Sequence, residues 1–112
     1  MRAVQEKKTW EDALEFCREQ HTDLTSLLSV TENRLAQIKT QSENFTEQVW
    51  VGMRYLGDTW MWVNGDPLLY KAWQQDGDLD HQCPMLKRCG ALTKNGVWEA
   101  RDCQEKLSFI CV

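Results

Sequence analysis

Between residues 71 and 88 the sequence holds Trp73, Asp76, Asp78, Asp80, His81, Cys83 and Lys87. Carboxylate oxygens and an imidazole nitrogen are donors for a divalent cation, so Asp76, Asp78, Asp80 and His81 raise the question of a metal site. Their spacing matches no ligand template, and a solvated acidic loop has the same composition. Nucleophilic catalysis finds less support. The two histidines, His21 and His81, lie far apart in sequence, and neither stands in a recognisable activated serine or cysteine setting. A second group ends the sequence, GVWEARDCQEKLSFICV, in which Trp98, Glu99, Ala100 and Arg101 precede Cys103 and Cys111. These residues present no recognisable catalytic constellation.

Five cysteines and six tryptophans in 112 residues set the physical class. A polypeptide of this length holds one domain, residues 1–112, with a marginal core that disulfides commonly staple in an oxidising compartment. The thiols alone leave the pairing open. A formal net charge of −4, with acids and bases interspersed, provides no basic stripe for nucleic acid. The apolar runs are too short for this segment to insert in a membrane. The expected location is extracellular, as a secreted protein or a receptor ectodomain. MRAVQEKK lacks the apolar run of a secretory signal, so a signal, with any anchor or neighbouring domain, is expected outside this stretch.

The elements that must position these residues are legible in part. Thr9 and Asp12 form a capping box before a helix from about Trp10 to Glu19, with Trp10, Ala13, Leu14 and Cys17 at helical spacing. Ser29 and Glu32 form a second box, opening a helix in which Leu35 and Ile38 are expected to face inward. A short extended piece around Leu24 to Leu27 joins the two. Val49-Trp-Val51 and Trp60-Met-Trp-Val63 are β-prone runs, and Ala91 to Trp98 reads as a hairpin turning at Asn95-Gly96. Leu107 to Val112 reads as a closing strand. Residues 71–88 form a long loop, and long loops in compact domains are commonly functional. The layout is α+β, helices first and an antiparallel sheet after. Trp50, Trp60 and Trp62 lie in strand-like runs and are assigned to the core, whereas Trp73 opens the loop.

Cys17 in the first helix, Val49-Trp-Val-Gly52, Trp60-Met-Trp62, Trp73, Cys89-Gly-Ala-Leu92, Trp98, Cys103 and Phe109-Ile-Cys111 follow the order and spacing of a C-type lectin-like domain, which the protein resembles from about Lys8 to Val112. The resemblance implies two helices packed on antiparallel strands, with the long loop bearing the ligand site. It also implies disulfides Cys17–Cys111 and Cys89–Cys103, leaving Cys83 over.

Sugar-binding members of that family hold a calcium ion that bridges protein and sugar. Its ligands are a proline-centred acid or amide triplet in the loop, a glutamate two residues before the third cysteine, and an Asn-Asp pair after the tryptophan. Carried over position by position, the triplet falls on Asp78-Leu79-Asp80, the glutamate on Lys87 and the pair on Glu99-Ala100. The triplet has lost its proline, normally cis, and a non-proline cis bond costs about 3–4 kcal/mol, so the loop path differs. A lysine ammonium offers no lone pair, and an alanine methyl offers no oxygen. The resemblance therefore implies a calcium-independent module without a metal or other cofactor, in which Glu99 is solvated or paired with Lys87. Its expected ligand, a protein or a glycan, would meet a surface built from Trp73, Asp76, Asp78, Asp80, His81, Lys87, Glu99 and Arg101. A calcium-dependent lectin with a remodelled site is the alternative.

Asn44-Phe-Thr46 is a glycosylation sequon between the second helix and the first sheet strand, with Asn44 as the acceptor. Cys83 can be a free thiol, pair with Cys89 and leave Cys103 over, find a partner elsewhere in a longer protein, or link two copies. An exposed lone thiol is reactive in an oxidising compartment, which favours linkage. The oxidised protein is expected to form a Cys83-linked dimer that Cys83→Ser abolishes with folding intact. Non-reducing electrophoresis and disulfide mapping check this, and a wholly monomeric parent protein removes the linkage.

Overall fold

The computed structural model describes residues 2–20, 22–27, 29–42, 48–56, 59–63 and 89–112. In sequence order these form β1 (Arg2–Lys8), α1 (Trp10–Glu19), α2 (Val30–Ser42), β2 (Val49–Leu56), β3 (Thr59–Trp62), β4 (Cys89–Leu92), β5 (Trp98–Arg101) and β6 (Leu107–Cys111). Both helix starts follow from local chemistry. Thr9 Oγ1 accepts from the Asp12 amide at 3.3 Å, and Ser29 Oγ accepts from the Glu32 amide at 3.3 Å, each satisfying an amide that has no partner within the helix.

The strands join one sheet in the order β1-β6-β2-β4-β5, with β3 hairpinned onto β2. The expected α+β fold is present, with two differences from the sequence reading. The sheet is mixed, because β2 runs parallel to β6, Val49 opposite Ser108 and Trp50 opposite Phe109. The N-terminal segment, unassigned from sequence, is a strand antiparallel to β6, with Ala3 opposite Ile110. RAVQEKK shows no alternation of apolar residues. It is ordered by the backbone groups that β6 offers along its edge, which are satisfied by pairing.

Alternation along β2 separates two core clusters. Val49, Val51 and Met53 join Leu27, Ala36, Trp60, Trp62, Leu92, Trp98 and Ile110. Trp50 points the other way, to Trp10, Ala13, Cys17, Leu24, Cys89, Ala91, Leu107, Phe109 and Cys111. Trp50, Trp60 and Trp62 are buried, as their strand-like context implied. Several indoles also hold polar partners: Trp10 Nε1 donates to the Val51 carbonyl and Trp50 Nε1 to the Lys8 carbonyl, both at 2.9 Å. A buried indole N–H left without an acceptor would be costly, so these bonds select one packing.

Gly52 marks a close approach. A Cβ there would stand 2.8 Å from the Leu24 carbonyl oxygen, and the Gly52 amide donates to the Thr25 carbonyl at 2.8 Å. The segment joining the helices thus lies against β2, and Leu24 bridges to Cys111.

The inward assignment of Leu35 and Ile38 is overturned, because each is 54% exposed. The face of α2 turned to the protein carries Asn33, Ala36 and Thr40. Beneath it lie Trp98 and the carbonyls of the β4–β5 turn, which amide side chains satisfy and aliphatic ones cannot. Ala36 at the centre leaves space for that close approach, and Thr40 Oγ1 turns back to the Ala36 carbonyl at 2.8 Å. No described helix is long and apolar enough to cross a membrane.

Candidate functional site

Strand β5 lies at the end of the sheet path opposite β1, and its four residues divide by pleat. Trp98 is fully buried and donates Nε1–H to Asn33 Oδ1 at 2.8 Å. Asn33 in turn donates from Nδ2 to the Gly96 carbonyl at 2.7 Å, so one α2 residue holds both the start of β5 and the turn before it. Ala100 packs on the cluster containing Trp98.

Glu99 and Arg101 belong to a polar group on the strand's other side. Glu99 Oε2 accepts from Gln48 Nε2 at 2.6 Å, and the Arg101 guanidinium stands 3.9 Å from the same oxygen. Arg101 Nη1 donates to Gln48 Oε1 at 2.7 Å, while its Nε and Nη2 donate to the two carboxylate oxygens of Glu105, each at 2.8 Å. The forked contact to Glu105 is the strong, geometrically specific form of a guanidinium–carboxylate pair. The group is partly shielded, with side-chain exposures of 26% for Arg101 and 33% for Glu99.

Glu99, expected to be solvated or paired with Lys87, is half-buried and bonded to Gln48, with Arg101 as a neighbouring cation, while Lys87 lies outside the described residues. It also decides how well β5 suits calcium. Ala100 contributes a methyl to the core, Glu99 is already engaged, and a guanidinium stands within 4 Å of its oxygen, so the described residues do not fit the ion. Among the described residues no group of three His, Cys, Asp or Glu side chains is placed to hold a metal. Trp73, Asp76, Asp78, Asp80, His81, Cys83 and Lys87, the sequon at Asn44, and His21 lie outside the described residues. The structure therefore brings together Glu99 and Arg101 of the expected surface.

Sequence reading missed Gln48, Glu105 and Asn33. Arg101 and Glu105 are four apart and of opposite charge, but that spacing is diagnostic only on a helix, and here it spans a strand and a turn. Gln48 and Asn33 carry no local signal, since their partners lie 51 and 63 or more residues away.

The disulfides are Cys17–Cys111 and Cys89–Cys103, as the resemblance implied. The second removes the ring between Cys83 and Cys89. The first joins α1 to β6 across a separation of 94 residues.

Comparison with known proteins agrees with this arrangement. The lectin C-type domain pattern matches residues 6–112. The chain is 31% identical over 111 residues to the snaclec coagulation factor IX/factor X-binding protein subunit B3 of Trimeresurus stejnegeri, covering 95% of this chain and 78% of that protein. It is 27% identical over 107 residues to the human C-type mannose receptor 2, covering 92% of this chain but only 7% of the receptor's length. The carbohydrate-recognition domain of mouse scavenger receptor C-type lectin superposes with a TM-score of 0.80 at 28% identity, covering 95% of this chain and 80% of that one. A family pattern running through nearly the whole sequence, together with the two disulfides and the buried tryptophans that carry it, places this protein in the C-type lectin domain family.

Proposed function

We propose that this domain is an extracellular recognition module that binds a protein or glycan without calcium. The observation carrying this reading is the state of β5. Where a calcium-binding relative places its Asn-Asp ligand pair, this protein has a methyl packed against the core and a carboxylate already bonded to Gln48 beside Arg101. The guanidinium is a fixed resident cation on that strand. The ligand surface proposed from sequence comprises Glu99 and Arg101 together with the loop residues Trp73, Asp76, Asp78, Asp80, His81 and Lys87, which lie outside the described residues. The snaclec relative is named for binding coagulation factors, a protein ligand, and the mouse relative for carbohydrate recognition. Both ligand classes therefore belong in the screen.

Calcium separates this reading from a remodelled calcium-dependent lectin. An ion bound only by the native state at a hundredfold excess over its Kd would add about 2.7 kcal/mol. For a domain of this size that raises Tm by roughly 10 °C or more. The expected result is no such shift between millimolar calcium and chelator. A reproducible shift of that size supports the lectin alternative instead. A glycan array and a panel of extracellular proteins, each screened with and without calcium, then identify the ligand class.

A further inference from the structure

Three amide side chains on one face of α2 converge on one turn. Asn33 donates to the Gly96 carbonyl at 2.7 Å, and Gln37 and Gln41 both donate to the Lys94 carbonyl, at 3.3 and 3.0 Å. Positions four apart on a helix stack along one face, so the three form a single ladder. The carbonyls it holds flank Asn95, which is itself exposed.

The turn is tight. The Gly96 amide donates to the Thr93 carbonyl and the Thr93 amide to the Val97 carbonyl, both at 3.0 Å, and Gly96 has φ 81°. This is a three-residue hairpin loop completed by a left-handed glycine. A Cβ at Gly96 would stand 2.7 Å from Gln37 Oε1, so the Gln37 side chain lies directly against the turn.

An asparagine followed by glycine is chemically labile, because no side chain on the second residue hinders its nitrogen from approaching the asparagine Cγ. We propose that Asn95 is a site of spontaneous deamidation and that the α2 amide ladder governs its rate. The Gly96 nitrogen forms a bond to Cγ of Asn95, the Cγ–Nδ2 bond breaks, and ammonia leaves with the proton of the former backbone amide. One water then opens the five-membered imide at either carbonyl, giving aspartate or isoaspartate, with no change of oxidation state. In the closed turn the Gly96 N–H is given to the Thr93 carbonyl, and the Lys94 and Gly96 carbonyls on either side of Asn95 are held by α2. Reaction therefore proceeds from the open turn, whose population sets the rate. Isoaspartate adds a carbon to the backbone between the two clamped carbonyls. The ladder cannot then close on both, and α2 loosens from the hairpin that leads into Glu99 and Arg101.

The test is to incubate the folded, oxidised protein in mildly alkaline buffer at body temperature and follow the site by tryptic mapping. Cleavage after Lys94 and Arg101 isolates residues 95–101 from Asn64-Gly65, the other Asn-Gly step. Isoaspartyl methyltransferase labelling reports the product. Isoaspartate is expected to accumulate at position 95 more slowly than in the reduced, denatured protein, and the modified fraction, separated by ion exchange, is expected to melt several degrees lower. Asn33→Ala, which removes two buried hydrogen bonds, is expected to speed the reaction about tenfold. The double variant Gln37→Ala with Gln41→Ala keeps the buried Asn33 pair and gives a smaller acceleration, which covers the case in which Asn33→Ala does not fold. Absence of isoaspartate from residues 95–101 of the folded protein overturns the site. Equal rates in the parent and the folded ladder variants overturn the control by α2.

Discussion

Replacing Cys17 and Cys111 together by alanine is expected to lower the stability of the native domain by about 4–5 kcal/mol. The bond spans a separation of 94 residues, so it closes nearly the whole sequence into a loop and removes more freedom from the unfolded ensemble than any shorter link would. Domains of this size have only about 5–15 kcal/mol in total. The expected fall in Tm is on the order of 20–30 °C, enough to leave a substantial unfolded fraction at body temperature. Cys89→Ala with Cys103→Ala is the internal comparison. Its separation is 14 residues, and the same entropic argument gives about 3 kcal/mol. Urea titration of the two double variants beside the parent measures both losses. A Cys17–Cys111 loss of about 1 kcal/mol, or one smaller than that of the short loop, would mean that loop closure is not what this bond contributes.

Asn33→Leu is expected to destabilise the domain by about 2–4 kcal/mol, although an amide inside a helix is by itself no stabilising feature. Asn33 is 6% exposed, donates to the Gly96 carbonyl and accepts from the Trp98 indole. Leucine matches its branching and heavy-atom count but cannot replace either bond to the Gly96 carbonyl and the Trp98 indole, and each lost bond carries the desolvation cost of an unsatisfied group. Asn33→Asp separates the two bonds. It retains the acceptor for Trp98 but loses the donor and sets a carboxylate against the Gly96 carbonyl, so it is expected to be no better than the leucine variant. Leu35→Gln on the exposed face of the same helix is expected to stay within about 0.5 kcal/mol of the parent. The urea midpoints decide the matter. Equal, small effects of Asn33→Leu and Leu35→Gln would show that α2 is not held through this amide.

The contrast between Asn33 and Leu35 shows where sequence reading of α2 failed. A period of apolar residues identifies a buried face when the surface beneath is apolar. The surface under α2 presents an indole N–H and backbone carbonyls beside the apolar cluster that Ala36 joins, so the buried residues are an amide, an alanine and a threonine, while Leu35 and Ile38 are turned outward. The candidate site shows the same division. Glu99 and Ala100 could be assigned from their position after Trp98. That Glu99 is bonded to Gln48, and that Arg101 reaches both Gln48 and Glu105, depended on packing β2 beside β4 and β4 beside β5.

By itself the sequence determined whatever acts across a few covalent neighbours. The two capping boxes begin their helices where Thr9 and Ser29 stand, Trp50, Trp60 and Trp62 are buried in strands, and Asn95-Gly96 turns the hairpin. In each case the groups that must meet are a turn or a pleat apart, so their spacing already contains the geometry. Resemblance to a family supplied the disulfide pairing, which the thiols alone left open. Only the tertiary structure decided that β2 lies parallel to β6, that the polar segment Arg2–Lys8 is an edge strand, and that Asn33, Gln37 and Gln41 close on one turn. Those contacts join backbone or amide groups more than fifty residues apart, between elements whose own sequences do not specify a partner. They are selected when the polypeptide folds around its core and every buried donor and acceptor must find a counterpart.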